Sequence, residues 1–249
     1  MDREQPKKSS SIHHSAFSVP HSDAALVIFG KAPIPGQVKT RLCPPLTPDE
    51  AATLQGSLVL DVVERSRAVT RQMDRFLACA PSREHVFFKI LEERQGVRLI
   101  NQVGEDLGLR MDRAFKEVFA LGYKRVILVG TDVPTLSALS YGQALGLLSA
   151  HDLVLGPSLD GGYYLIGLTK PVPDLFIDIP WSTDQVCVLT RKKAEALGLK
   201  TALLPACRDL DTVDDLLALA PLAGGLSART AGVIQMLAGR LKSRSATLD

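Results

Sequence analysis

Two sets of residues in this sequence could do chemistry, one basic and one acidic. Lys31, Lys39 and Arg41 fall within eleven residues, interleaved with Gly30, Pro33, Pro35, Gly36 and Thr40. Glycines let backbone amides approach a phosphate and prolines fix the loop's course. The three cations offer charge to a pyrophosphate that amides and a helix N-terminus could not neutralise alone. The acids are Asp132 in Gly130-Thr131-Asp132-Val133-Pro134, Asp160 in Asp160-Gly161-Gly162-Tyr163, and Asp211 in Asp209-Leu210-Asp211-Thr212. A carboxylate beside bound phosphates is the usual ligand of a divalent metal, here Mg²⁺ or Mn²⁺.

Each residue also has a plainer role. The three cations suit a solvated loop, and Asp132 suits a turn cap or an ion pair. Asp-Gly-Gly is ordinary turn chemistry. Thr212 reads as a helix cap with Asp214 and Asp215 in the first turn, which leaves Asp209 and Asp211 without a structural task. Trp181, in Pro180-Trp181-Ser182-Thr183, suits either a wall of an acceptor pocket or buried packing. The basic loop lacks the spacings G-x-x-x-x-G-K-[ST] and G-x-G-x-x-G, so neither a P-loop ATPase nor a dinucleotide enzyme is indicated. The histidines show no metal-ligand spacing, and no Ser-His-Asp or Cys-His arrangement follows from residue order.

These residues need elements to position them. Ala24 to Gly30 is an apolar strand running into the basic loop. Thr47, Pro48 and Glu50 form a capping box that starts a helix reaching about Val69. Phe76 to Cys79 and Val97 to Ile100 are short strands with a less defined segment between them. A helix spans Leu109 to Leu121, closed by Gly122. Val126 to Gly130 is continuously apolar, as at the centre of a mostly parallel sheet, and Asp132 lies just past its carboxyl end, where open sheets bind ligands. A helix at Ser137 to Ala150, a strand at Leu153 to Gly156 and a hairpin-like section at Ser158 to Leu168 follow. A helix at Thr183 to Leu197, a strand at Thr201 to Leu204 and helices near Val213 to Ala220 and Ala228 to Leu241 complete the alternation. The pattern predicts one α/β domain over 23–242, flanked by a flexible tail at 1–22 and a short one at 243–249.

With 249 residues, 46% of them hydrophobic, the chain can bury a substantial core, and a formal charge of +2 argues against a general nucleic-acid or membrane binder. Four scattered cysteines without a C-x-x-C pair read as reduced thiols, which with no signal-like or membrane-spanning run predicts a cytoplasmic protein. Nothing in the sequence sets an oligomeric state.

Taken together, Lys31-Ala32-Pro33 through Lys39-Thr40-Arg41-Leu42, Gly130-Thr131-Asp132-Val133-Pro134, Gly156-Pro157 with Asp160-Gly161-Gly162-Tyr163, Pro180-Trp181-Ser182-Thr183 and Asp209-Leu210-Asp211-Thr212 resemble the DUF2064 proteins, also called rSAM/selenodomain-associated transferase 1. That family is grouped with glycosyltransferases of the GT-A, nucleotide-diphospho-sugar transferase fold. The resemblance runs in order from about Ala24 to Leu219 and implies a single-domain, Rossmann-like α/β/α sandwich with a mostly parallel mixed sheet. The first motif is also similar to that of 2-phospholactate guanylyltransferases. The Asp-Thr-x-x-Asp-Leu ending is similar to that of sugar-nucleotide cytidylyltransferases, which implies Asp132 and Asp211 as metal ligands. The Asp160-Gly161-Gly162-Tyr163 stretch departs from the guanylyltransferase pattern.

The expectation is a metal-dependent transferase that uses a nucleotide-activated donor and a small acceptor. Glycosyl transfer from an NDP-sugar leads. Nucleotidyl transfer from an NTP, with release of pyrophosphate, is the alternative, and a non-catalytic nucleotide-binding protein is a third reading. Gly30, Lys31, Pro33, Gly36, Lys39, Thr40, Arg41 and Thr131 would bind the nucleotide diphosphate. Asp160, Gly161, Gly162, Tyr163 and Trp181 would form the acceptor pocket, with Asp132, Asp160 and Lys39 catalytic.

Overall fold

A computed structural model describes residues 22–245, apart from the side chains of 223 and 242–245. Of the expected tails at 1–22 and 243–249, residues 1–21 and 246–249 lie outside the described residues, and 243–245 continue the last helix. Seven strands form one sheet in the order β3-β2-β1-β4-β6-β5-β7. They are β1 Ala24–Lys31, β2 Asp74–Ala80, β3 Arg98–Asn101, β4 Arg125–Val129, β5 Leu153–Pro157, β6 Tyr163–Leu168 and β7 Thr201–Leu203. All pairs are parallel except those of β6, which runs antiparallel to both β4 and β5. The hairpin-like section is therefore the β5–β6 return, and the sheet is mixed as expected.

The alternation of apolar side chains across the sheet feeds two cores. One face, with Leu26, Ile28 and Ile127, packs against α1 Pro48–Arg65, α2 Val86–Gln95 and α4 Ala138–Leu147. The other, with Val27, Phe76 and Leu128, packs against α3 Leu107–Ala120 and α5 Val186–Ala196. Both faces being covered explains why the central strands read as unbroken apolar runs. A third cluster joins Leu54 and Leu58 of α1 to α6 Val213–Leu219 and α7 Ala228–Ser245. Arg229 of α7 pairs with Asp61 at 3.0 Å and Glu64 at 3.2 Å, and Arg240 pairs with Glu50.

Both expected caps form: Thr47 with Glu50 on α1, and Thr212 with Asp215 on α6. Several boundaries differ from the sequence pattern. The first helix is α-helical to Arg65 and then tightens to a 3₁₀ turn through Val69. Helix α3 begins at Leu107 because Asp106, not a later residue, accepts from Leu109 N–H as its N-cap. Helix α5 starts at Val186, since Ser182 has φ +67° and Thr183 Oγ1 closes a turn onto the Pro180 carbonyl.

Candidate active site

A cavity of about 590 Å³ opens at the carboxyl ends of β1 and β4, the switch point where strand order reverses. Its size suits a nucleotide or a comparable small molecule. One side is charged, with Lys31, Lys39, Thr40 and Arg41 facing Thr131, Asp132, Asp160 and Asp211. The other is largely apolar, with Phe29, Leu107, Met111, Tyr163, Trp181 and Val186.

Lys39 holds the charged side together. Its backbone is left-handed at φ 48° and ψ 36°, a costly conformation for a residue with a Cβ, and this turns its side chain inward. The ammonium lies 2.6 Å from Asp132 Oδ1 and 2.9 Å from Asp211 Oδ1 and donates to the Leu210 carbonyl at 2.6 Å. The lysine side chain is 5% exposed. Burial pulls its ammonium toward the neutral form, but the charges of Asp132 and Asp211 outweigh that and hold its pKa above the usual lysine value. The loop bearing these acids is docked independently, Leu210 N–H donating to the Asp132 carbonyl at 2.8 Å. Lys31 and Arg41 are exposed at the cavity and have no ion-pair partner among the described residues, leaving their charge for a ligand.

Carboxylate oxygens of Asp160, Asp209 and Asp211 lie within 4.8 Å of one another. Burial and the charges of Asp160, Asp211 and Asp132 push the Asp209 carboxyl up to about 6. Oxygen-only donors at this density, with Asp211 also sharing the Lys39 cation with Asp132, fit a hard divalent ion such as Mg²⁺ or Mn²⁺. Asp160 also accepts from Gly162 N–H at 2.9 Å, so the turn role and the cavity role coexist.

The aromatic wall follows from two glycines. Gly108, in the first turn of α3, lies so close under Trp181 that a Cβ there would sit 2.5 Å from the indole. Gly161, at φ +91°, passes against the Asp184 carbonyl, where a Cβ would sit 2.1 Å away, and its own carbonyl accepts from Cys187 N–H. The Asp-Gly-Gly turn is thereby clamped to the start of α5. Trp181 meets Tyr163 edge to face at 6.5 Å, so it is both packed and cavity-lining.

Four of the expected site residues do not line the cavity. Gly30 faces the core, where a Cβ would meet Leu77 at 3.1 Å. Pro33 packs on Gly56, Gly36 supplies a left-handed turn at φ +77° away from other atoms, and Gly161 is covered by Asp184. They shape the loops that carry the site. The structure adds Asp209 and Gln102. Asp209 had a sequence signal, since Asp-Leu-Asp with a buried Leu210 puts both acids on the same side of an extended segment. Gln102, whose Nε2 donates to the Gly30 and Ala78 carbonyls at 3.1 and 2.8 Å, ties β1 to β2 at the cavity edge and had none.

This fold and cavity define a nucleotide-using transferase of the nucleotide-diphospho-sugar transferase fold. A protein from Desulfovibrio desulfuricans G20, grouped with the nucleotide-diphospho-sugar transferases, matches with 33% identity and a TM-score of 0.79 over 86% of this chain and 95% of that one. The 3-phospho-D-glycerate guanylyltransferase of Phenylobacterium zucineum is 30% identical over 83% of this chain and 94% of its own length. The 2-phospho-L-lactate guanylyltransferase of Methanothermobacter thermautotrophicus is 30% identical over 50% of this chain and 53% of its own. Residues 63–183 match the family described as "Uncharacterized protein conserved in bacteria (DUF2064)". The chain belongs to the DUF2064 family. Among the described residues, no helix is long and apolar enough to cross a membrane.

Proposed function

We propose that this protein is a nucleotidyltransferase that joins an NTP to a small phosphorylated or carboxylated acceptor and releases pyrophosphate. The observation that carries this reading is the convergence of Asp132 and Asp211, from two separate loops, on one cation beside Lys31 and Arg41, which have no ion-pair partner among the described residues. The two curated relatives being guanylyltransferases supports the same reaction class and favours GTP as donor.

An acceptor oxygen forms a bond to the α-phosphorus while the bond from that phosphorus to the bridging oxygen breaks, its electron pair leaving with pyrophosphate. A phosphate or carboxylate acceptor is already ionised at neutral pH, so no proton has to be removed. Lys31, Arg41 and Lys39 stabilise the charge that grows on the departing oxygens. Asp132 and Asp211, with Asp209 beside them, would hold Mg²⁺ or Mn²⁺, which when bound supplies Lewis-acid charge to the same oxygens.

Glycosyl transfer from an NDP-sugar remains the second reading, favoured by Asp160. Its carboxylate is exposed in the cavity, where it could take a proton from an attacking hydroxyl. Product analysis separates the two. Incubation with each NTP, Mg²⁺ and 3-phosphoglycerate or 2-phospholactate is expected to release pyrophosphate. Release of NDP from an NDP-sugar, with no pyrophosphate from any NTP, would overturn the proposal in favour of sugar transfer.

A further inference from the structure

We propose that Lys39 is the resident cation of the site, filling the place between Asp132 and Asp211 that a divalent metal needs, and that the metal loads only together with a polyphosphate that draws the lysine away. This rests on the reading that the site takes a metal and a nucleotide, but not on which bond of the nucleotide breaks.

The ammonium is surrounded as a metal ion would be, by oxygens alone: Asp132 Oδ1 at 2.6 Å, Asp211 Oδ1 at 2.9 Å and the Leu210 carbonyl at 2.6 Å. A divalent cation held by the same two carboxylate oxygens would stand within a few ångströms of Nζ, where repulsion between the charges is severe even in a partly solvated site. The two cannot share the position, so one must leave. Water is a poor destination for the lysine, because its aliphatic stem is buried with a side-chain exposure of 5%. The phosphate side of the cavity is a better one, since Thr40, Arg41 and Lys31 line it and offer a hydroxyl and two positive charges to anionic oxygens. A polyphosphate arriving with its metal therefore supplies a new partner for Lys39 as the metal takes the old ones. Metal without polyphosphate must strip the ammonium from three acceptors and leave it unpaired, which opposes binding. The left-handed backbone at Lys39, held at φ 48° where glycine is the easier residue, is what aims the side chain at the acids.

The test is a titration of the full chain with Mn²⁺, following free Mn²⁺ by electron paramagnetic resonance, alone and with inorganic pyrophosphate after correction for the Mn²⁺-pyrophosphate complex in solution. Wild type is expected to bind Mn²⁺ at least tenfold more tightly with pyrophosphate than without. Lys39→Met is expected to bind Mn²⁺ alone at least tenfold more tightly than wild type and to lose most of the gain from pyrophosphate. Adding Asp132→Asn to Lys39→Met should remove the new affinity. Equal Mn²⁺ affinity of wild type and Lys39→Met without pyrophosphate would overturn the proposal, as would equal wild-type affinity with and without pyrophosphate. Lys39→Gln serves if Lys39→Met does not fold, and the wild-type comparison needs no variant. These readouts use no donor or acceptor, so a protein that gives no transfer product but shows the Mn²⁺ coupling refutes the proposed reaction and leaves this inference standing.

Discussion

Trp181 and Gly108 are in contact so close that only glycine fits: a methyl group on Gly108 would come within 2.5 Å of the indole Cζ2 and 2.6 Å of its Nε1. The far end of the side chain must then give way, not the helix. Gly108→Ala is therefore expected to leave the fold intact, because alanine favours the helical backbone of α3 by about 1 kcal/mol over glycine and offsets the lost packing. It should instead swing the indole out of the cavity wall. Trp181 is the one tryptophan of the chain, so its fluorescence reports this directly. The variant should emit to the red of wild type and bind acceptor at least tenfold more weakly. An unchanged spectrum would show that the ring does not move.

The fold and the charged half of the site were legible in the sequence because each left a local signal. Continuous apolar runs marked β1 and β4, Thr47 and Thr212 announced their helices, and Asp132 stood just past the carboxyl end of a central strand. Helix α2 was not legible, since Val86 is 68% and Ile90 43% exposed and only Phe88 and Leu91 among its residues are buried, too narrow a stripe to show a helical period. The pairing of Lys39 with Asp211 was beyond reach for a different reason. It joins residues 172 apart, through a left-handed lysine that no propensity favours. Gln102 and the Gly108–Trp181 contact likewise depend on which loops the topology brings together.

Asp209 gives the site a pH-dependent cost. Its folded-state pKa, pushed up to about 6 from an ordinary 3.8, means the folded protein holds this proton more tightly than the unfolded chain does. That contribution is fully present below pH 4 and is lost as pH rises through about 6. Asp209→Asn should therefore become more stable relative to wild type between pH 5 and pH 8, by about 1 kcal/mol once solvent screening of this half-buried group is allowed for. Urea unfolding at both pH values in the presence of EDTA measures it. A difference between variant and wild type that does not change with pH would remove the acidic cluster as its cause.

The α7 dock is expected to depend on one ion pair far more than on its neighbour. Asp61 has a side-chain exposure of 3%, accepts from Ser227 Oγ and Arg229 Nη1, and sits under the start of α7, whereas Glu64 is 38% exposed. Arg229→Ala leaves a buried carboxylate short of its counter-charge and should cost about 3 kcal/mol. Glu64→Ala removes an exposed partner of the same arginine and should cost less than about 1 kcal/mol. Denaturant midpoints at constant slope decide between them, and equal losses would mean that Asp61 is solvated in solution.

Asp160 separates the two chemistries that the cavity could perform. Its carboxylate is exposed to the cavity, accepts from Gly162 N–H and lies within 4.8 Å of the oxygens of Asp209 and Asp211. Asp160→Asn keeps an acceptor for Gly162 N–H, so the turn and the clamp on Gly161 should survive. What it removes is a proton acceptor and one negative charge. An ionised acceptor needs no base, so nucleotidyl transfer to a phosphate or carboxylate should lose less than about tenfold in kcat. Transfer to a neutral hydroxyl does need one and should lose about 10²–10⁴-fold, the range of general-base catalysis.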